Sequence, residues 1–309
     1  MPHFNENDHQ RDSGGKFTHK PHAEAGEVSL RGMGPRAFTI PGDASPDELD
    51  ELADHHNYPV RLQVAGHPNT ATETLRRIAQ SADEGYARAN AIDYLDARGE
   101  DVNAYAHDPS AEARIAVVSS ASVLPGVLGE LAGDSDVGVR EAVARNALTP
   151  TESLVALAGD EDAGVRRGVA GNPMIPAQVV PSLVRDPNDK VRADLAWNQH
   201  VPVGSIDALA DDAGLDVRVG LAGNPRASAS ALRGLVAGGP HLEEVRASVA
   251  GNLAAPRDVL EMLAGDESVQ VRMNVAWNLS ASEKALRRAR VGLGEDYQWG
   301  PPPGFKPTL

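Results

Sequence analysis

The chain has 309 residues, of which 41% are hydrophobic and only 4% aromatic, with no cysteine and a formal net charge of −15. That length allows one large domain or two small ones, and the lack of cysteine excludes disulfides, thiolate metal sites and a cysteine nucleophile. The acidity argues against binding along a nucleic-acid backbone, which calls for a basic face; it is not confined to the ends, since residues 52–288 hold 32 acidic and 22 basic side chains, a net of −10. No apolar run reaches 18 residues and the first 30 are polar, so neither a membrane span nor a signal peptide is expected and the chain reads as cytoplasmic.

In chain order, residues 1–43 are polar, Gly-rich and His-rich and read as a disordered tail. The stretch "ASPDELDELAD" at 44–54 reads as a lone helix that caps the N-terminal end of a repeat array. The repeat units start at Leu52, Ile78, Tyr105, Leu131, Leu157, Leu183, Leu209, Leu235 and Leu263, 26 to 28 residues apart. Each unit predicts two short helices. In "TPTESLVALAGD", Thr149 is the expected N-cap and Pro150 the first helical residue. Leu154 and Leu157 share one face, and Gly159 ends the helix. Asp160 or Asp162 caps the next helix, whose Val165, Val169 and Ala170 form an apolar stripe. Gly171-Asn172-Pro173 is expected to close it through a left-handed residue. "SASEKALRRAR" at 280–290 reads as the closing helix, and 291–309 as a Pro-rich extended tail, a candidate docking peptide.

A helix pair this short cannot bury its own stripe, but stacked pairs can. The expected fold is therefore all-α: an α-solenoid over 44–290, made of about nine two-helix repeats of about 26 residues. Two polar ladders accompany the repeat. An arginine follows an apolar residue in every unit: Arg61, Arg88, Arg114, Arg140, Arg166, Arg192, Arg218, Arg246 and Arg272. An aspartate stands six residues earlier in six units: Asp108, Asp134, Asp160, Asp186, Asp212 and Asp266. The guanidinium fork suits a carboxylate and helix-end carbonyls alike, so each Arg is expected to bridge to an Asp of its own or the next unit. The competing reading is a row of cations for phosphates, which the matching acids oppose. The second ladder is Asn146, Asn172, Asn198, Asn224, Asn252 and Asn278, expected to bond neighbouring backbone at helix ends.

The pattern "LAGDxDxxVRxxVAxNPxxPxxxLxxL" resembles the leucine-rich repeat variant family and, more loosely, the HEAT family. Units four to nine carry its core, as in Val139, Arg140, Val143, Ala144 and Asn146; units one to three depart from it, with His67 at the Asn position. The resemblance implies a right-handed superhelix of alternating α- and 3₁₀-helices, with the "TPTESL" helix of each unit partly 3₁₀. It also implies protein binding. The family's iron–sulfur cluster has no ligands here, and HEAT-like relatives that act on DNA bases use a basic face. The N-terminal "GKF…VSL" pattern resembles leaders of actinobacterial and phage proteins, which implies a mobile element.

Departures from the repeat are the candidate sites. Trp197 and Trp277 occupy a position that elsewhere holds Gly or Arg, so both are expected to be partly exposed and to contact a partner, or else to lie over a neighbouring unit's glycine. Tyr86 and Tyr94, with Asp93, Asp96, Glu100 and Asp101, mark unit two as a possible acidic and aromatic patch. The histidines lack metal-ligand spacing, and no nucleotide or hydrolase motif is found; no catalytic residue, metal or cofactor is expected. The favoured function is a non-enzymatic scaffold that binds a basic protein or peptide through one face of the solenoid. The alternatives are an acidic nucleic-acid mimic or defence-system inhibitor, and a HEAT-like protein acting on nucleic acid.

Overall fold

The structure is a computed structural model that describes residues 39–81, 85–237 and 243–291. The tails expected at either end fall almost wholly outside the described residues. The helices are α1 (Pro46–Leu52), α2 (Tyr58–Ala65), α3 (Thr72–Ala79), α4 (Gly85–Ala97), α5 (Ala111–Ser119), α6 (Pro125–Leu131), α7 (Val137–Arg145), α8 (Thr151–Leu157) and α9 (Ala163–Gly171). They continue as α10 (Val180–Leu183), α11 (Asp189–Trp197), α12 (Leu215–Gly223), α13 (Ala229–Ala237), α14 (Glu243–Gly251), α15 (Arg257–Leu263), α16 (Val269–Trp277) and α17 (Glu283–Ala289). No strand occurs among the described residues. None of these helices is long and apolar enough to cross a membrane.

The chain is an all-helical solenoid. The Val-Arg helices α2, α4, α5, α7, α9, α11, α12, α14 and α16 form one row, each packed on the next. The helices between them form a second row whose successive members touch more sparsely. The Val-Arg row is the tighter of the two, the inner row of the stack. Both rows feed one continuous core, in which Val165, Val169 and Ala170 of α9 and Leu154 and Leu157 of α8 are buried.

Local chemistry explains the helix starts. Asp162 Oδ1 accepts from the amides of Gly164 and Val165, capping α9, and Asp136, Asn188, Ser110 and Ser268 cap their own helices in the same way. Ser45 and Glu48 form a reciprocal capping box on α1. Three sequence expectations need correction. Pro150, not Thr149, occupies the N-cap of α8, and the Thr149 hydroxyl donates back to the Val143 carbonyl. Asn172 ends α9 in extended conformation (φ −68°, ψ 131°), and no non-glycine residue among those described has positive φ. Gly159 is likewise not left-handed: α8 ends at Leu157 and its C-cap is Ala158. The 3₁₀ expectation is met at Asn103–His107, Ala177–Val179 and Asp207–Asp211, whereas α8 itself, the source of the "TPTESL" motif, is an α-helix.

Candidate functional site

The Arg and Asp ladders interlock across units. Arg88, Arg114, Arg140, Arg166, Arg192 and Arg246 each pair with the aspartate twenty residues on, in the next unit: Asp108, Asp134, Asp160, Asp186, Asp212 and Asp266, at 2.6–3.0 Å. Five of these pairs are bidentate through Nε and Nη2. The remaining nitrogen turns back to its own unit: Arg114, Arg140, Arg166, Arg192 and Arg272 donate from Nη1 to the carbonyl of the aspartate six residues earlier. The same carboxylate accepts the amide two residues on, as Asp160 does from Asp162. Sequence spacing left own unit and next unit as alternatives; the guanidinium takes both, a carbonyl from one and a carboxylate from the other.

This pairing fixes the electrostatics. The Arg140 and Arg192 guanidinium groups hold Asp160 and Asp212 below the ordinary carboxylate range against partial burial. At Asp134 and Asp186 burial is the largest influence and pushes upward, yet the bonds from Arg114 and Arg166 and from backbone amides outweigh it. With side chains only 5–10% exposed at these four aspartates, the ladder carboxylates are inside the stack rather than on a binding surface. Arg61, Arg218 and Arg272 lack this aspartate in the following unit. Arg61 donates to the His55 carbonyl, whereas Arg218 makes neither ladder contact among the described residues, and its Nε is buried without a hydrogen-bond partner.

The asparagine ladder is equally internal. Asn172, Asn198, Asn224, Asn252 and Asn278 are 0–6% exposed. The Asn224 Nδ2 donates to the carbonyls of Ala196 and Asn198 in the preceding unit (2.7 and 2.9 Å), and its Oδ1 accepts the Arg226 amide. Units that lack Asn fill the slot differently. His67 Nδ1 accepts the Asn69 amide, which leaves Nε2 to donate to the Pro41 carbonyl. Ser120 accepts the Ser122 amide and donates to Asp96. Tyr94 donates its hydroxyl to the Gly66 carbonyl at 2.7 Å. Tyr94 was a candidate for partner contact; it is instead half-buried and committed to the preceding unit. Three acids beside it are also engaged, Asp96 by Ser120 and Ser122, Glu100 by Arg76, and Asp101 by Asn103. Of the expected unit-two patch Tyr86 is 61% exposed, and Asp93 and Asp101 are exposed as well.

The two tryptophans lie on the inner row and differ. Trp277 is partly buried at the end of α16. Trp197, at the end of α11, is 52% exposed. One face of its indole covers two glycines of α12: a Cβ at Gly220 would lie 3.0 Å from Nε1, and one at Gly223 would lie 3.5 Å from Cζ3. Trp197 also lines a groove of about 370 Å³ together with Arg167, Lys190, Ala193, Asp194, Asp216 and Val219. Both sequence readings of Trp197, covering a neighbour's glycine and facing outward, hold at once. The structure does not bring Trp197, Trp277 and Tyr86 together; they belong to units six, nine and two.

The sequence matches no family model and no curated protein. It is similar in fold to the crystal structure of Escherichia coli YibA, with 16% identity, a TM-score of 0.37, and coverage of 80% of this chain and 92% of that one. The solenoid assignment rests on this chain's own helices and their contacts.

Sequence reasoning missed the residues that line the Trp197 groove. Position within the repeat finds two of them: Lys190 and Asp216 each stand two residues before the repeated Arg, where units four and five have Gly138 and Gly164. The groove offers an aromatic face, an ion pair between Arg167 and Asp194 at 2.8 Å, and exposed charges. Such groups bind and orient.

Proposed function

We propose that the protein is a non-enzymatic repeat scaffold that binds a protein or peptide along the inner face of the solenoid. The observation that carries this reading is Trp197, half open on a floor of glycines, in a molecule whose repeated polar side chains are otherwise bonded into the stack. Tryptophan is enriched among binding hot spots, and it acts best from a groove. The titrating groups with shifted values are ladder, capping or surface-pair carboxylates and their arginines, each already bonded, which supports binding over catalysis. The repeat residues Val-Arg, apolar-Ala and Asn support placing the scaffold with the leucine-rich repeat variant family.

Selection from a displayed library of random peptides, with the full chain as bait, tests the proposal. The expected result is a recurring sequence motif whose synthetic peptide loses about tenfold or more in affinity against Trp197→Ala, a hot-spot-sized effect. The variant must keep the wild-type helical circular dichroism. Absence of a recurring motif, or binding indifferent to Trp197, overturns it.

A further inference from the structure

Along the inner row, the first two positions of α11, α12 and α14 carry Asp189 and Lys190, Leu215 and Asp216, and Glu243 and Glu244. All six are exposed. Asp189, Asp216, Glu243 and Glu244 make no ion pair among the described residues; Glu243 accepts only the Ser268 hydroxyl. The cations nearby do not balance them. Arg167 is taken by Asp194 at 2.8 Å, Arg218 of α12 is only partly exposed, and Lys190 is the one cation among these six positions. Asp216 and Trp197 share one groove, and Glu243 and Glu244 hold the matching positions at the start of the next inner helix. Units four and five differ: their matching helix positions hold Val137 and Gly138, and Ala163 and Gly164.

We propose that the inner face of units six to eight receives an extended, cation-rich segment of a partner protein, with one Arg or Lys stacked on the open face of Trp197 beside Asp216. This rests on the scaffold reading and names the partner's chemistry. An indole face attracts a guanidinium or ammonium, and a flanking carboxylate completes the pair. An extended polyproline-II segment fits the dimensions: helices of a row stand roughly 8–10 Å apart, and such a segment advances about 3.1 Å per residue with three residues per turn, so every third side chain faces the same way. Successive units therefore meet about every third residue of the segment, so cations at every third position align with Asp216 and the Glu243–Glu244 pair.

The test uses the full chain and three fluorescently labelled nonapeptides, three copies each of Arg-Ala-Ala, Gln-Ala-Ala and Glu-Ala-Ala, with anisotropy as readout at low and high salt. The Arg peptide is expected to bind about tenfold or more tighter than the Gln peptide and to weaken with salt. Trp197→Ala, and separately Asp216→Asn with Glu244→Gln, should each weaken it severalfold while circular dichroism and melting temperature hold. A block Arg peptide of the same composition should bind less tightly. Trp197-dependent binding of the Gln or Glu peptide at equal strength overturns the cation proposal and leaves the scaffold reading standing. Binding of the Arg peptide that ignores both variants overturns the proposal as non-specific charge attraction. No Trp197-dependent binding by any of the three overturns both.

Discussion

Asn224 shows how much one side chain can hold. Its amide makes three hydrogen bonds across a buried junction, two to carbonyls of the preceding unit and one from its own chain. Asn224→Ala strands two carbonyls and an amide, at about 1–3 kcal/mol for a buried group left unsatisfied. The expected loss is about 3 kcal/mol or more in urea denaturation, and a change below about 1 kcal/mol would contradict the ladder's role. Glycines divide by what surrounds them. A Cβ at Gly168 would lie 2.7 Å from the Ala144 Cβ in the adjoining inner helix, whereas one at Gly234, inside α13, meets nothing within 4 Å. Gly168→Ala should destabilise by about 1–3 kcal/mol through overpacking. Gly234→Ala should stabilise by about 0.5–1 kcal/mol through helix propensity. Equal effects in the same denaturation assay would contradict this packing. The Asn positions were visible in the sequence; their conformation was not. Helix-end Asn is read as left-handed by habit, and it is extended here because its side chain reaches back to the unit before.

At the scale of elements, inner helices of nine residues such as α7 and α9 are too short to persist alone. Neighbouring units hold them, and the Arg–Asp pairs join those units. Arg166 and Asp186 have side chains 13% and 5% exposed, and removing one partner leaves a charge buried without its counterion. Arg166→Met is expected to cost about 3–5 kcal/mol, while the double change with Asp186→Leu recovers much of that. A double-mutant cycle in urea checks this; additive losses would contradict direct pairing. The same carboxylates set the acid response. Asp134, Asp160, Asp186 and Asp212 titrate below the unfolded value in the folded chain, and that unfolded value is about 3.9. Their stabilisation is therefore complete above that pH and is lost as pH falls through the lower folded values. The melting temperature should be flat from about pH 5 to 8 and drop steeply below about 4; a flat profile down to pH 2 would contradict it.

In the whole molecule two arginines between inner helices lack the aspartate twenty residues on, Arg61 of α2 and Arg218 of α12. Arg218 of α12 has no aspartate to grip in unit eight, although the Asn252 bonds to Ala222 and Asn224 remain. Stability in a repeat protein is close to a sum of junction terms, so this junction should be weaker than those that keep the Arg–Asp pair. Native-state hydrogen exchange is expected to show α14, α15 and α16 opening together at lower free energy than α7, α9 and α11. Uniform protection across the break would contradict it.

The sequence by itself determined the period, the helix pair in each unit, the apolar stripes and the stacked architecture, because each follows from local spacing and from a stripe too large for one pair to bury. The ladder of Arg and Asp was legible for the same reason. Only the tertiary structure decided what the spacing left open: that Arg114, Arg140, Arg166 and Arg192 each take a carbonyl from their own unit and a carboxylate from the next. It also decided that Tyr94 fills an asparagine's slot, and that Trp197 lies on Gly220 with one face open. Those of these contacts that cross between units join residues 20 to 28 positions apart. Their geometry depends on how one unit sits on the next, which no pattern within a unit encodes.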